Sequence, residues 1–340
     1  MPQFMYVSVS GEDKVLIFTL DGMSGRVEPR GVVQVAGRPS PMAMDPQGKS
    51  VYISCREVNE LRSFRIDSET GGLSFTGKVS PGSDAVFVTT DRKGRFVLSS
   101  YNHSGNVAVH PIGENGAVGA PPVEWVDTAK GAHSVQVDPS NRFVLVPHTA
   151  SPVPSNMILQ FKFDEATGHL TPNSPFKVVP EGPSGPRHLW FHPKLNVVYF
   201  CHEQVSMVTA YNLDPSSGTL SLFQTVSTLP EGFKGESKCA EIRVSASGRT
   251  VYVSNRGHDS IAWFASDART GKLTPIRWLP TEPVPRVFTL SPRGDFLFLT
   301  SQETGRMASY RVDELAGTLD HIDTRAVGKL PMWILITPAP

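Results

Sequence analysis

The sequence predicts an all-β fold, a seven-bladed β-propeller of four-stranded antiparallel blades whose ring is closed by the C-terminal strand pairing with the N-terminal blade. Three observations carry this expectation. A unit repeats along the chain, each unit holds four short β-type runs between Gly, Asn, Asp and Pro turns, and the two chain ends supply complementary fractions of one more unit.

The unit opens with an apolar stretch, a turn and a second apolar run, seen in PMAMDPQGKSVYIS (41–54), HSVQVDPSNRFVLV (133–146), RHLWFHPKLNVVYF (187–200), EIRVSASGRTVYVS (241–254) and RVFTLSPRGDFLFL (286–299). It closes on a second turn, as in DSETGGL (67–73), DEATGHL (164–170), DPSSGTL (214–220), DARTGKL (268–274) and DELAGTL (313–319). Anchored on the first turn, the copies fall at Asp45, Asp91, Asp138, His192, Ser245, Ser291 and Thr337, with steps of 46, 47, 54, 53, 46 and 46 residues. No segment sustains a helical period. QFMYVSV (3–9) begins with the second run of a unit, and PMWILITP (331–338) is a first run without continuation. Pairing them removes the free edges of an open sheet, so residues 1–340 are expected to form one propeller domain.

Composition narrows the partners. The 32 Lys+Arg balance the 32 Asp+Glu, so there is no basic field for nucleic acid or an anionic membrane surface. The 29 Gly and 29 Pro are scattered among short apolar runs, as a turn-rich fold requires. Cys55, Cys201 and Cys239 lack metal or redox spacing and are odd in number, and MPQFMYVSVSGEDK has no signal-peptide pattern. A cytoplasmic location is expected, and no apolar run of membrane-spanning length occurs. Oligomeric state has no sequence signal.

Because neighbouring strands run antiparallel, the starts of the innermost strands and the ends of the second strands share one rim. The starts include His133, Arg187, His188, Glu241 and Arg286; the ends include Ser10, Arg56, Asn102, Thr149, Glu203, Arg256 and Gln302. Dispersed charges thus become a ring around one funnel: His133, Arg187, His188, Glu203, Arg256 and Arg286, with Tyr101, Asn102 and Gln302 beside them. Strand alternation turns His188 away from Arg187, which suggests a packing role for it. The longer units add TASPVPSNM (149–157), VVPEGPSGPRH (178–188) and LPEGFKGESKCAE (229–241) to the same rim, and the last carries Lys234 and Lys238.

GPRHLWFHP (185–193), GAHSVQVDP (131–139), YNHSGNV (101–107), the Glu203 loop and PMW (331–333) resemble the bacterial 6-phosphogluconolactonase family of seven-bladed propellers, over essentially the whole chain. That family also contains the fungal 3-carboxy-cis,cis-muconate lactonizing enzyme. The resemblance implies catalytic roles for His133, Arg187, Glu203 and Arg256. It also implies lactone chemistry on an anionic small molecule, with 6-phospho-D-glucono-1,5-lactone leading and muconate cyclisation or an unphosphorylated sugar-acid lactone as alternatives.

Lactone hydrolysis needs a base for water, donors for the tetrahedral oxyanion and an acid for the leaving alkoxide. His133 and Glu203 can move the protons, with Glu203 as base the first assignment and the reverse equally allowed. Arg187, Arg256 and Arg286 suit a carboxylate, a phosphate or the developing oxyanion. Arg286, Tyr101, Asn102, His188 and Gln302 are expected to bind substrate. No cofactor and no metal are expected, although His133, His188, His202 and Glu203 hold enough ligand atoms to make a metal site the competing chemistry. A propeller presenting a protein-binding face is the non-enzymatic alternative; repeated Gly-His and Trp-Asp signatures are absent.

Overall fold

The computed structural model describes residues 3–149 and 155–338, and these form seven four-stranded sheets with one short 3-10 turn at Ser10–Glu12. The innermost strands are Pro331–Ile336 in blade 1 and Pro39–Met44, Phe87–Thr90, Gln136–Val137, Pro186–Phe191, Lys238–Val244 and Pro285–Leu290 in blades 2 to 7. Blade 1 joins the chain ends as expected. Val7 lies opposite Ile334 and Tyr6 opposite Leu335, and the Phe4 amide donates to Thr337 Oγ1 at 2.9 Å.

Burial follows position in the blade. Second strands such as Ser50–Cys55 and Phe143–His148 are buried at every residue, because both faces pack on neighbouring blades, whereas in the outer strand Leu73–Val79 only Val79 is buried. This is why second strands read as unbroken apolar runs rather than as alternation.

The repeated turn residues have local causes. Asp67 Oδ1 accepts the amides of Glu69 and Thr70, both at 2.9 Å, and Asp267 and Asp313 do the same in their blades. Gly71 follows at φ +74°, and a Cβ there would lie 2.4 Å from the Phe4 ring. Its carbonyl accepts the Tyr6 hydroxyl at 2.9 Å, and Tyr52 and Tyr199 reach Gly116 and Gly271 likewise. These contacts latch blade 1 to blade 2, blade 2 to blade 3 and blade 5 to blade 6. At the first turn, Asp91 Oδ1 accepts the amides of Arg95 and Phe96; in blade 5 His192 Nδ1 fills that slot for Lys194 and Leu195.

One irregularity bears directly on function. The pairing register slips at the start of five innermost strands, between Pro39 and Met42, Pro186 and His188, Cys239 and Ile242, Pro285 and Val287, and opposite Met332. A bulge of this kind leaves a residue unpaired and re-aims its side chain. Arg187 and Arg286 are such residues.

Candidate active site

The innermost-strand starts surround a cavity of about 200 Å³ on the ring axis, and its walls include Asn102, His133, Arg187, His188, Glu203 and Arg286. Six of the nine expected site residues therefore meet in one place. His188 is there contrary to the alternation argument, because the bulge at Arg187 lets consecutive residues share one side.

The loop before Arg187 is clamped from blade 4. Asn156 Oδ1 accepts the amides of Ser184 and Gly185 at 3.1 and 2.8 Å, and its Nδ2 donates to the Pro180 carbonyl at 3.2 Å. Arg187 itself is buried: Nη1 donates to the Ala240 carbonyl and to His188 Nε2, and Nε lies 3.7 Å from Glu203 Oε2. Since guanidinium only donates, His188 Nε2 accepts and the imidazole proton sits on Nδ1, 3.2 Å from Glu241 Oε1. Glu241 is buried and paired with Arg243 at 2.6 Å, and the Arg243 guanidinium lies 4.1 Å from the Trp190 ring centre.

Glu203 is held from two sides. Arg256 Nη2 donates to its Oε1 at 2.5 Å, and Arg187 approaches the other oxygen. Burial pushes the Glu203 carboxyl up, but Arg187 and Arg256 outweigh it and hold it below the usual carboxylate range. It is ionised at neutral pH. For His133 every influence has the same sign: burial first, then Arg187 and His188, press it well below the ordinary imidazole value. It is therefore a neutral base, with one edge open to the cavity and a buried Nδ1 that has no hydrogen-bond partner among the described residues. The Arg286 guanidinium has no hydrogen bond or ion pair to any described residue; burial and the positive charges of Arg187 and Arg256 depress its pKa. A cavity wall carrying an unpaired cation is built for an anion.

Three expectations need correction. Tyr101 does not reach the cavity: it is fully buried in blade 3, its hydroxyl bonded to Ser99 Oγ at 2.9 Å and its ring on Trp125 at 4.9 Å. Arg256 stands behind Glu203 rather than on the wall, also donating to the Cys239 carbonyl at 3.1 Å. Gln302 lines an adjoining cavity with Arg38 and Arg56. Elsewhere, His202 is committed through both nitrogens, to Ser184 Oγ and Thr209 Oγ1, so the four-residue metal set is not assembled. Among the described residues no three His, Cys, Asp or Glu side chains gather as ligands. Lys234 and Lys238 are exposed and off the cavity wall. The 178–188 and 229–241 segments lead into innermost-strand starts on the cavity side; of 149–157, residues 150–154 lie outside the described part.

Sequence reasoning passed over Arg56 and Trp333, which line the cavity, although strand order had already put Arg56 on the rim. Trp333 and Phe87 pack on His188, with ring centres 6.1 and 5.2 Å away. PMW (331–333) stands out as a motif of the family resemblance and its strand start falls on the same rim, but neither signal marked Trp333 as cavity wall.

A closed ring of seven blades brings basic and acidic side chains from several blades around one axial cavity, the candidate active site of a propeller. Comparison with known proteins gives the class. Residues 5–336 match the family model "Lactonase, 7-bladed beta-propeller". The chain is 32% identical over 336 residues to a 6-phosphogluconolactonase of Pectobacterium carotovorum and 30% identical over 337 residues to that of Serratia proteamaculans, covering 99% of both chains in each case. Among solved structures, a periplasmic gluconolactonase of Pseudomonas aeruginosa superposes with a TM-score of 0.89 at 24% identity over the full length of both chains. The chain belongs to the seven-bladed β-propeller lactonase family.

Proposed function

We propose that this lactonase hydrolyses a phosphorylated sugar lactone, 6-phospho-D-glucono-1,5-lactone, with His133 as the proton-transfer residue. The observation that carries the chemistry is the neutral His133 facing a cavity whose other walls bear the unpaired Arg286 and the Glu203-paired Arg187. The names of the full-length relatives support the substrate.

His133 takes a proton from water, which adds to the lactone carbonyl carbon. Arg187 and Arg286 stabilise the tetrahedral oxyanion. The imidazolium then returns the proton to the ring oxygen as the C–O bond breaks, leaving the free acid. Glu203, already ionised and shared between two guanidiniums, fixes Arg187 and is a weaker base than sequence alone suggests, so the reverse of the first assignment is favoured. His133 carries every proton step, and the reaction is metal-independent and cytoplasmic in this reading.

A lactone panel tests this. The phosphorylated lactone, glucono-1,5-lactone and 3-carboxymuconate are each assayed with and without chelator, against the spontaneous hydrolysis blank. Fastest turnover of the phosphorylated lactone, unaffected by chelator, is expected. Turnover of 3-carboxymuconate alone would replace the assignment with cyclisation, and loss of activity with chelator would remove the metal-independent mechanism.

A further inference from the structure

Beside the reaction cavity lies a second one of about 330 Å³, walled by Arg38, Arg56, Asp84, Arg286 and Gln302 among others. The two share Ser40, Arg56, Arg286 and Met332, so one elongated ligand can occupy both. We propose that this second cavity is the subsite for the phosphate monoester at the far end of the lactone, with Arg38 and Arg56 as its specificity residues; the inference rests on the phosphorylated-lactone reading above.

The charges argue for it. The Arg56 amide donates to the Arg38 carbonyl at 3.3 Å, which brings the two backbones together just beyond the paired strands Pro39–Met44 and Ser50–Cys55, and both residues line the second cavity. Arg286 comes from blade 7 to the shared wall, where it feels Glu203 at a distance but forms no ion pair or hydrogen bond with a described residue. Arg56 gives Nε and Nη2 to Asp84 Oδ2, at 2.9 and 2.5 Å, leaving Nη1 unengaged. Arg38 is held at the backbone, its amide donating to Asp13 Oδ1 at 2.7 Å, while its guanidinium is exposed and bonds no described residue. The walls of the joined cavities carry the guanidiniums of Arg38, Arg56, Arg187 and Arg286 against the carboxylates of Glu57, Asp84 and Glu203. The lining is cationic by one charge, which favours an anionic group on the ligand. The linings also divide the work: His133 and Arg187 border only the first cavity and Arg38 only the second, with Arg56 and Arg286 on the wall between.

The test compares wild type with Arg38→Ala and Arg38→Lys, which alter an exposed side chain, and with Arg56→Lys. Two quantities are measured: the ratio of kcat/KM for 6-phosphogluconolactone to that for glucono-1,5-lactone, and the inhibition constant of inorganic phosphate. In Arg38→Ala the ratio should fall about ten- to hundredfold and the phosphate constant should rise by a similar factor, with Arg38→Lys between. An unchanged ratio and unchanged phosphate inhibition in both Arg38→Ala and Arg56→Lys would overturn the subsite while leaving the substrate intact. A wild type that ignores the phosphorylated lactone would overturn the substrate, and the phosphate constants would still judge the subsite.

Discussion

Arg256 Nη2 lies 2.5 Å from Glu203 Oε1, a contact that joins blade 6 to the loop ending the second strand of blade 5. It places Arg256 one residue away from the cavity, so its influence on the reaction passes through the carboxylate. Replacing Arg256 by Ala removes one of the two cations holding Glu203 down, and the Glu203 carboxyl should rise toward its buried value. The expected outcome is a loss of kcat/KM of about 10–100-fold with the acid limb of the pH profile moved to higher pH, and partial rescue by Lys. A profile that keeps its shape would show that Arg256 is only a blade fastener.

For His133 the sign follows from its lowered pKa. The working form is neutral, and it is lost only when pH falls below that depressed value. With unphosphorylated lactone, kcat should stay level from neutral pH to below 6.5, the ordinary imidazole value. His133→Ala should lower turnover by roughly 10²–10⁴. An acid limb above that value, or near-native turnover in the variant, would exclude His133 as the base.

Glu241 is a stability residue with reach into the site. It is buried between Arg243 and His188, and Glu241→Ala strands the Arg243 charge in the interior. Breaking a buried pair from one side costs about 3–5 kcal/mol. Thermal and denaturant unfolding should register that loss, and the double variant Glu241→Leu with Arg243→Met should recover part of it.

Stability should also decline in mild acid. Buried His148 and His202 are held down to about 4 and about 3, chiefly by burial, whereas the unfolded chain takes up their protons near 6.5. Between pH 6.5 and 4.5 the unfolded state therefore binds more protons, and each histidine can remove up to about 1.4 kcal/mol per pH unit. A His202→Gln variant, able to keep bonds to Ser184 and Thr209, should show a shallower fall in Tm over that range.

Ring closure gives a simpler test. Ile334 is 1% exposed in the strand that pairs with Gln3–Val9. Ile334→Ala should cost about 2–5 kcal/mol by cavity formation, and deletion of Pro331–Ile336 should abolish the cooperative transition. A truncated chain that still unfolds cooperatively near the native Tm would show that the ring does not need this strand.

The sequence by itself determined the blade count, the split first blade and the rim on which His133, Arg187, Glu203 and Arg286 meet. Each depends on local rules: turn chemistry at Asp67 or Asp91, apolar runs for strands buried on both faces, and antiparallel order. What only the tertiary structure decided depends on how those strands depart from regularity. Bulges turn Arg187, His188 and Arg286 toward one axis, where simple alternation would have separated them. The direction of Tyr101 into its own blade and the retreat of Arg256 behind Glu203 are likewise settled by packing between blades. Protonation belongs to the same level, because the proton on His133 and the charge on Glu203 depend on burial and on cations contributed by segments far apart in the chain.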